Sequence, residues 1–121
     1  MADITNRKDI ELMVDTFYAE VREDDLLGPI FNRIIKDNWS KHLYTMYRFW
    51  QTVLLHEIAY KGSPFLPHKK LPIKAHHFDR WVDHFNNSID RNFRGKVAEE
   101  AKWRASKMAE MFMYKLNSNS F

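Results

Sequence analysis

Apolar residues recur every three or four positions along most of the chain, which is the spacing of one face of a helix. The first such stretch predicts a helix over residues 7–21, which Thr5 or Asn6 can cap. Its apolar positions are Ile10, Met13, Val14, Phe17, Tyr18 and Val21. The corner Leu27-Gly28-Pro29-Ile30 must break this pattern, because glycine frees the backbone and proline cannot continue a helix. A short helical turn is expected just before that corner.

A second long helix is predicted over residues 38–60. Its apolar positions form two adjoining stripes. One stripe consists of Trp39, Leu43, Met46, Trp50 and Leu54, and the other of His42, Met46, Phe49 and Val53. An apolar face of this width indicates that the helix packs both on other helices and on a second object.

The helical pattern fails over residues 61–74, where Gly62, Pro64, Pro67 and Pro72 crowd one stretch. We expect a mostly irregular loop there. A loop of this length is uncommon in a small domain and is usually functional. It carries His68, which is flanked by Phe65, Leu66, Leu71 and Ile73.

Two further helices are predicted over residues 75–92 and 96–116, and residues 1–6 and 117–121 are expected to be frayed tails. Only three glycines and four prolines interrupt the chain, which favours helix over sheet. There is no internal repeat or linker. The sequence therefore predicts an all-α fold in a single domain, residues 1–121.

Charge and composition narrow the classes of partner. The 19 basic and 16 acidic residues are interspersed and leave a net charge of +3, which gives little reason to expect a polyanionic partner. The absence of cysteine excludes disulfides, thiolate metal sites and thioether attachment of a cofactor. No apolar run approaches the roughly 18 residues of a membrane span, and no signal peptide is visible. We expect a soluble, cytoplasmic protein.

The spacing of the histidines does not favour a bare zinc site. His76 and His77 are adjacent and would diverge by about 100° on a helix. His77 and His84 can share a face, but no carboxylate stands at the spacing of a zinc-protease helix. The sequence also lacks a phosphate-binding glycine loop and a nucleophile elbow. Nucleic-acid binding is not favoured either, because the long helices carry aromatic residues and methionines rather than clustered basic and amide side chains.

One histidine in a Pro-rich apolar loop, opposite helices lined with flat rings, is the pattern that haem ligation requires. His68 meets this description, although a loop histidine on the surface is the simpler interpretation of that residue alone. His42, Tyr18 and Trp81 also have simpler interpretations, as a boundary residue and as core rings. The residues taken one by one leave both interpretations open.

Taken together, residues 10–111 resemble the group III truncated haemoglobins of bacteria. Four blocks carry the resemblance: Phe17-Tyr18 with Asp25-Leu26-Leu27-Gly28-Pro29-Ile30-Phe31; Trp39 through His42 to Phe49-Trp50 and Leu54-Leu55; Tyr60-Lys61-Gly62 with Pro64 and His68; and His77-Phe78-Asp79-Arg80-Trp81 with Phe85. The resemblance implies a truncated globin fold, a two-over-two helical sandwich around a buried haem. It also implies that the cofactor is haem b, bound non-covalently.

The resemblance implies a role for several residues. His68 is the proximal ligand of the iron, Tyr18 and Trp81 donate hydrogen bonds to the bound ligand, and His42 gates ligand access. The further positions expected to contact haem are Phe31, Met46, Phe49, Val53, Leu71, Phe78 and Arg80. Apart from the resemblance, the basic side chains of Lys69, Lys70 and Arg80 are candidates for contacts with the haem propionates, although solvated surface charge is the simpler interpretation for at least two of them. Met46 departs from the family, which often has a branched aliphatic residue there, and the stretch between Phe31 and Trp39 is short.

The function implied by the resemblance is reversible binding of diatomic ligands, O₂ and also NO or CO. Two hydrogen-bond donors directed at bound O₂ predict slow release. An alternative on the same scaffold is a haem-dependent redox enzyme, peroxidase-like or an NO dioxygenase, which needs an external reductant or a reductase. A haem-free helical module that binds nucleic acid is the alternative from another class. No nucleic-acid or membrane partner is expected for the haem protein.

Overall fold

The computed structural model of the chain describes residues 1–60 and 74–118, with side chains described up to residue 115. Within these ranges every regular element is a helix, so the predicted all-α class is confirmed. The helices are α1 (Arg7–Glu23), α2 (Gly28–Ile35), α3 (Trp39–Leu55), α4 (Ala75–Asn92) and α5 (Lys96–Ser118). None of these helices contains a stretch that is long and apolar enough to cross a membrane. The predicted Pro-rich loop covers residues 61–74, and all of it except Lys74 lies outside the described ranges.

Helix α1 lies at the centre of the packing. The Asn6 side chain caps it by accepting a hydrogen bond of 3.0 Å from the Asp9 amide. The residues it buries are the predicted ones: Ile10, Met13, Val14, Phe17, Tyr18 and Val21. They pack against α2, α3 and α4, while α4 also packs along α5 and α3 touches α5.

The corner after α1 begins a helix that the sequence did not predict. The expected turn is present, since the Gly28 amide donates to the Asp24 carbonyl at 2.8 Å. The chain then continues as α2, with Pro29 in its first turn, where a missing N–H costs nothing. A Cβ at Gly28 would lie 2.6 Å from the Arg22 carbonyl oxygen, so glycine is what lets the two helices approach.

Helix α3 is shorter than predicted and ends at Leu55 rather than at residue 60. His56 has a positive φ of 59°, which turns the chain back on the helix. The Thr52 hydroxyl then accepts hydrogen bonds from the amides of Ala59 and Tyr60, at 3.0 and 2.9 Å. The apolar pattern extends past Leu55, but these side-chain bonds satisfy the backbone in a non-helical path.

Aromatic rings join the helices. The Phe85 ring of α4 has its centroid 5.3 Å from Phe17 of α1 and 5.0 Å from Trp50 of α3, on which it stacks. Such ring pairs stabilise beyond the area they bury. The core is therefore densest where α1, α3 and α4 meet.

The N-terminal tail is anchored, which corrects the expectation that residues 1–6 are frayed. The Asp3 carboxylate caps α5 by accepting hydrogen bonds from the amides of Val97 and Ala98, each at 2.9 Å. The Ala2 carbonyl accepts from the Arg94 amide at 3.0 Å, and Ile4 is buried in the core. At the other end, α5 continues through Ser118, and residues 119–121 lie outside the described ranges.

Replacing Asp3 with alanine is expected to lower the free energy of unfolding by about 1–2 kcal/mol, the usual cost of losing a helix cap that carries charge. Burial acts to raise the pKa of this carboxyl, but the backbone amides that it accepts from outweigh burial and lower the pKa. Urea denaturation at pH 7 measures the change, with Asp37→Ala as the control because Asp37 is an exposed carboxylate. Equal stabilities of the two variants would show that Asp3 does not anchor the tail.

Candidate functional site

The residues that the sequence singled out lie on four helices. Tyr18 is on α1, Phe31 is on α2, His42, Met46, Phe49 and Val53 are on α3, and Phe78, Arg80 and Trp81 are on α4. His68 and Leu71, together with Lys69 and Lys70, lie outside the described residues, and their roles stay predictions.

Tyr18 is the centre of an aromatic group that it forms with Phe31, Trp39 and His42. Its ring centroid lies 5.0 Å from that of His42, 5.7 Å from Trp39 and 6.5 Å from Phe31, each in an edge-to-face arrangement. The structure thus brings together three residues that the sequence assigned to one site. The centroids of Trp39 and His42 are 5.8 Å apart, and the Arg22 guanidinium lies over the Trp39 ring at 4.5 Å.

Trp39 had no predicted role in the site. In the sequence it belongs to an apolar stripe of the predicted helix and to one of the four blocks that carry the family resemblance. Its spacing of three residues from His42 places both on neighbouring positions of one helix face, and this was the signal available in the sequence.

The Tyr18 hydroxyl stays protonated at neutral pH. The residue is buried, at 5% exposure, and burial raises the pKa of its phenol well above the ordinary value for tyrosine. A protonated hydroxyl is a hydrogen-bond donor, whereas a phenolate is not.

Trp81 is connected to Tyr18 through Phe17. The half-buried Trp81 ring lies 5.4 Å from the Phe17 centroid and stacks on Phe85 at 6.0 Å. Phe17 in turn lies 4.8 Å from Tyr18. The two side chains predicted to be donors therefore contact one common ring.

The predicted face of α3 is only partly covered. Phe49 is buried, and its ring lies 5.4 Å from that of Tyr60. Met46 and Val53 pack on the core yet remain partly exposed. This part of α3 presents an apolar surface next to the His42 imidazole.

The described contacts of Phe78 and Arg80 lie outside the aromatic group of Tyr18, Phe31, Trp39 and His42. Phe78 belongs to a second apolar cluster with Ala109 and Phe112 of α5, although Trp81 contacts both clusters. Arg80 Nη1 lies 3.2 Å from Asp24 Oδ2 and 3.5 Å from the Asp25 carboxylate. The roles predicted for Phe78 and Arg80 toward haem stay predictions.

Asp24 is a buried charged residue that the sequence reasoning missed. Its side chain is 4% exposed, and its Oδ2 lies 2.6 Å from His84 Nε2. Burial acts to raise the pKa of Asp24, but the hydrogen bond with His84, the corner amides and the Arg80 charge lower the pKa to about 2. The sequence signal for this site was a pair of basic side chains one helical turn apart, Arg80 and His84, together with a pair of acidic residues at the corner, Asp24 and Asp25.

A family model described as bacterial-like globin matches residues 3–115 of the chain. The chain belongs to this globin family. A Campylobacter jejuni protein named group 3 truncated hemoglobin ctb is 32% identical over 111 residues, which cover 88% of this chain and 87% of that relative. A crystal structure of group III truncated hemoglobin from Campylobacter jejuni superposes with a TM-score of 0.87 at 30% identity, covering 96% of this globin and 95% of that chain. The predicted resemblance to group III truncated haemoglobins and the predicted truncated globin fold are confirmed.

A globin implies a haem group, and the described residues of this globin fit one. A haem site needs apolar walls and a few polar groups that face the iron-bound ligand. Met46, Val53 and Trp81 supply apolar surface that the protein leaves partly exposed, although each packs on the core. Tyr18 supplies a buried protonated hydroxyl, and its ring lies 5.0 Å from that of His42. Among the described side chains of residues 1–60 and 74–115, no group of three or more His, Asp or Glu residues could hold a metal ion.

Proposed function

We propose that this globin holds haem b non-covalently and reversibly binds diatomic ligands, releasing O₂ slowly. The observation that carries this proposal is the burial of the Tyr18 hydroxyl next to the imidazole of His42. Family membership and the apolar face of α3 support it. The chain has no cysteine, so a thioether bond to the cofactor is excluded.

Bound haem would supply an iron that binds a diatomic molecule. His68 would hold the iron, as the resemblance implies. The apolar residues of α2 and α3, namely Phe31, Met46, Phe49 and Val53, would line the group and exclude bulk water. In a site without bulk water, each hydrogen bond to the ligand is stronger than in solution.

Tyr18 and Trp81 would set the rate of ligand release. Their hydrogen bonds would stabilise negative charge on a diatomic ligand. The Tyr18 hydroxyl is protonated and the indole N–H of Trp81 can only donate. A hydrogen bond to a charged group contributes about 1.5–3 kcal/mol, which corresponds to roughly ten- to a hundredfold in affinity.

His42 would act on ligand access rather than on retention. Its ring is held edge-on by Tyr18 at 5.0 Å and by Trp39 at 5.8 Å. Displacement of this ring would open a path to the site.

Absorption spectra of the purified protein in its ferric, ferrous and CO-treated forms test the proposal. We expect a Soret band that shifts on reduction and again on addition of CO. A colourless protein that takes up no added haemin would contradict the proposal and favour the haem-free binding module. Stopped-flow mixing of the ferric protein with peroxide separates ligand binding from peroxidase chemistry, because only the latter consumes peroxide at a useful rate.

A further inference from the structure

Asp24 joins the corner between α1 and α2 to helix α4. Its Oδ1 accepts hydrogen bonds from the amides of Leu26 and Leu27, at 2.7 and 2.9 Å. Its Oδ2 contacts His84 at 2.6 Å and Arg80 at 3.2 Å, both on α4. One carboxylate therefore holds two backbone groups of the corner and two side chains of the opposite helix.

The two residues that Asp24 holds flank Trp81 along α4. Arg80 precedes Trp81 directly, and His84 follows it by three positions. Because residues three and four apart are neighbours on a helix surface, Arg80 and His84 are one turn apart on the same side. Two anchors one turn apart restrain both the rotation of α4 about its axis and its position along α1.

The apolar contacts of Trp81 restrain that rotation less. Its ring packs on Phe17 and Phe85, but the side chain is only half-buried. Apolar packing depends little on direction, whereas hydrogen bonds to a carboxylate require defined distances and angles. A buried carboxylate is also costly to leave without its partners, so the arrangement is strongly preferred over a rotated one.

We propose that Asp24 is a positioning residue which, through Arg80 and His84, holds the Trp81 indole at the orientation needed to donate to the bound ligand. The link to ligand rests on the proposed function, while the restraint on Trp81 does not depend on haem. The described hydrogen bonds of Asp24 join the corner to Arg80 and His84, so its effect on Trp81 is transmitted by the rotation of α4.

The test is a double variant, Arg80→Ala with His84→Ala, labelled with 5-fluorotryptophan. It removes both bonds to α4 and keeps the corner bonds of Asp24, and alanine preserves helix propensity. The matched control is Asp79→Ala with Asp83→Ala, two exposed positions of the same helix at the same spacing. The Trp81→Phe variant assigns the Trp81 fluorine resonance.

We expect the double variant to shift or broaden the Trp81 resonance and to raise the O₂ dissociation rate roughly three- to tenfold, the range that partial loss of one hydrogen bond covers. The control pair should change neither. The conservative single variant His84→Gln keeps an N–H donor at that position. Its Trp81 resonance and its O₂ dissociation rate should therefore stay close to those of the unmodified protein.

An unchanged Trp81 resonance and O₂ dissociation rate in the double variant would overturn the proposal, even if the variant is less stable. If the double variant does not fold, the single variants Arg80→Ala and His84→Ala each keep one bond and are judged by the same two measurements. A protein without haem would contradict the proposed function, and the fluorine spectrum would still decide whether Asp24 positions Trp81.

Discussion

Replacing His68 with alanine is expected to abolish the Soret band of the purified protein. Haem held without a thioether bond depends on its axial donor and on apolar contacts, and this chain has no cysteine to form a thioether. Alanine offers no donor atom, so haem would be lost from the purified protein. Absorption spectra of ferric and ferrous protein measure the effect.

The matched control for His68→Ala is His76→Ala. His76 is an exposed histidine at the start of α4 and has no predicted role toward haem. It should leave the Soret band unchanged. Addition of free imidazole to the His68→Ala protein should restore part of the band, because imidazole can occupy the position that the side chain has left. A His68→Ala protein that retains fully five-coordinate, histidine-ligated haem would show that another residue is the ligand.

Removing the hydroxyl of Tyr18 is expected to raise the O₂ dissociation rate roughly ten- to a hundredfold. The Tyr18→Phe change keeps the ring, and with it the packing on Phe31, Trp39 and His42, so the loss is confined to the hydrogen bond. The Trp81→Phe change should raise the rate in the same direction, because phenylalanine has no N–H to donate. Stopped-flow displacement of O₂ by CO measures both rates.

The control for this pair is Tyr47→Phe. The Tyr47 hydroxyl donates to the Asp15 carboxylate of α1, so its removal also deletes one hydrogen bond between α1 and α3. The Tyr47→Phe change should leave the O₂ dissociation rate unaltered. If neither Tyr18→Phe nor Trp81→Phe changed the rate, the assignment of Tyr18 and Trp81 as donors would be wrong.

Long helices with a regular apolar face were predictable. The apolar positions of α1 are its buried ones, and α4 has the predicted bounds Ala75–Asn92. The spacing of four, three and four residues from His42 to Val53 also placed these side chains on one face of α3. Local spacing suffices in these cases because each helix buries one face along its whole length.

The sequence predictions were wrong where hydrogen bonds of polar groups, rather than apolar spacing, decide the path of the backbone. Helix α2 begins with the Gly28-Pro29 pair, which predicts a break in the sequence pattern, although proline is favoured at a helix start. Helix α3 ends early because Thr52 accepts the amides of Ala59 and Tyr60. Neither outcome has a signal in apolar spacing, since both depend on where a hydroxyl or a carbonyl finds its partner.

The order of residues along this chain was enough to establish its helical class, its resemblance to group III truncated haemoglobins and the surface that α1 buries. Such properties follow from spacing within one element, which the chain carries locally. Only the packing of the helices decided which polar groups are in contact. Asp3 and Val97 are far apart in the sequence, as are Asp24 and His84, yet each pair is in contact. Contacts of this kind join different elements. The local sequence of one element does not show which group of the other element it will contact.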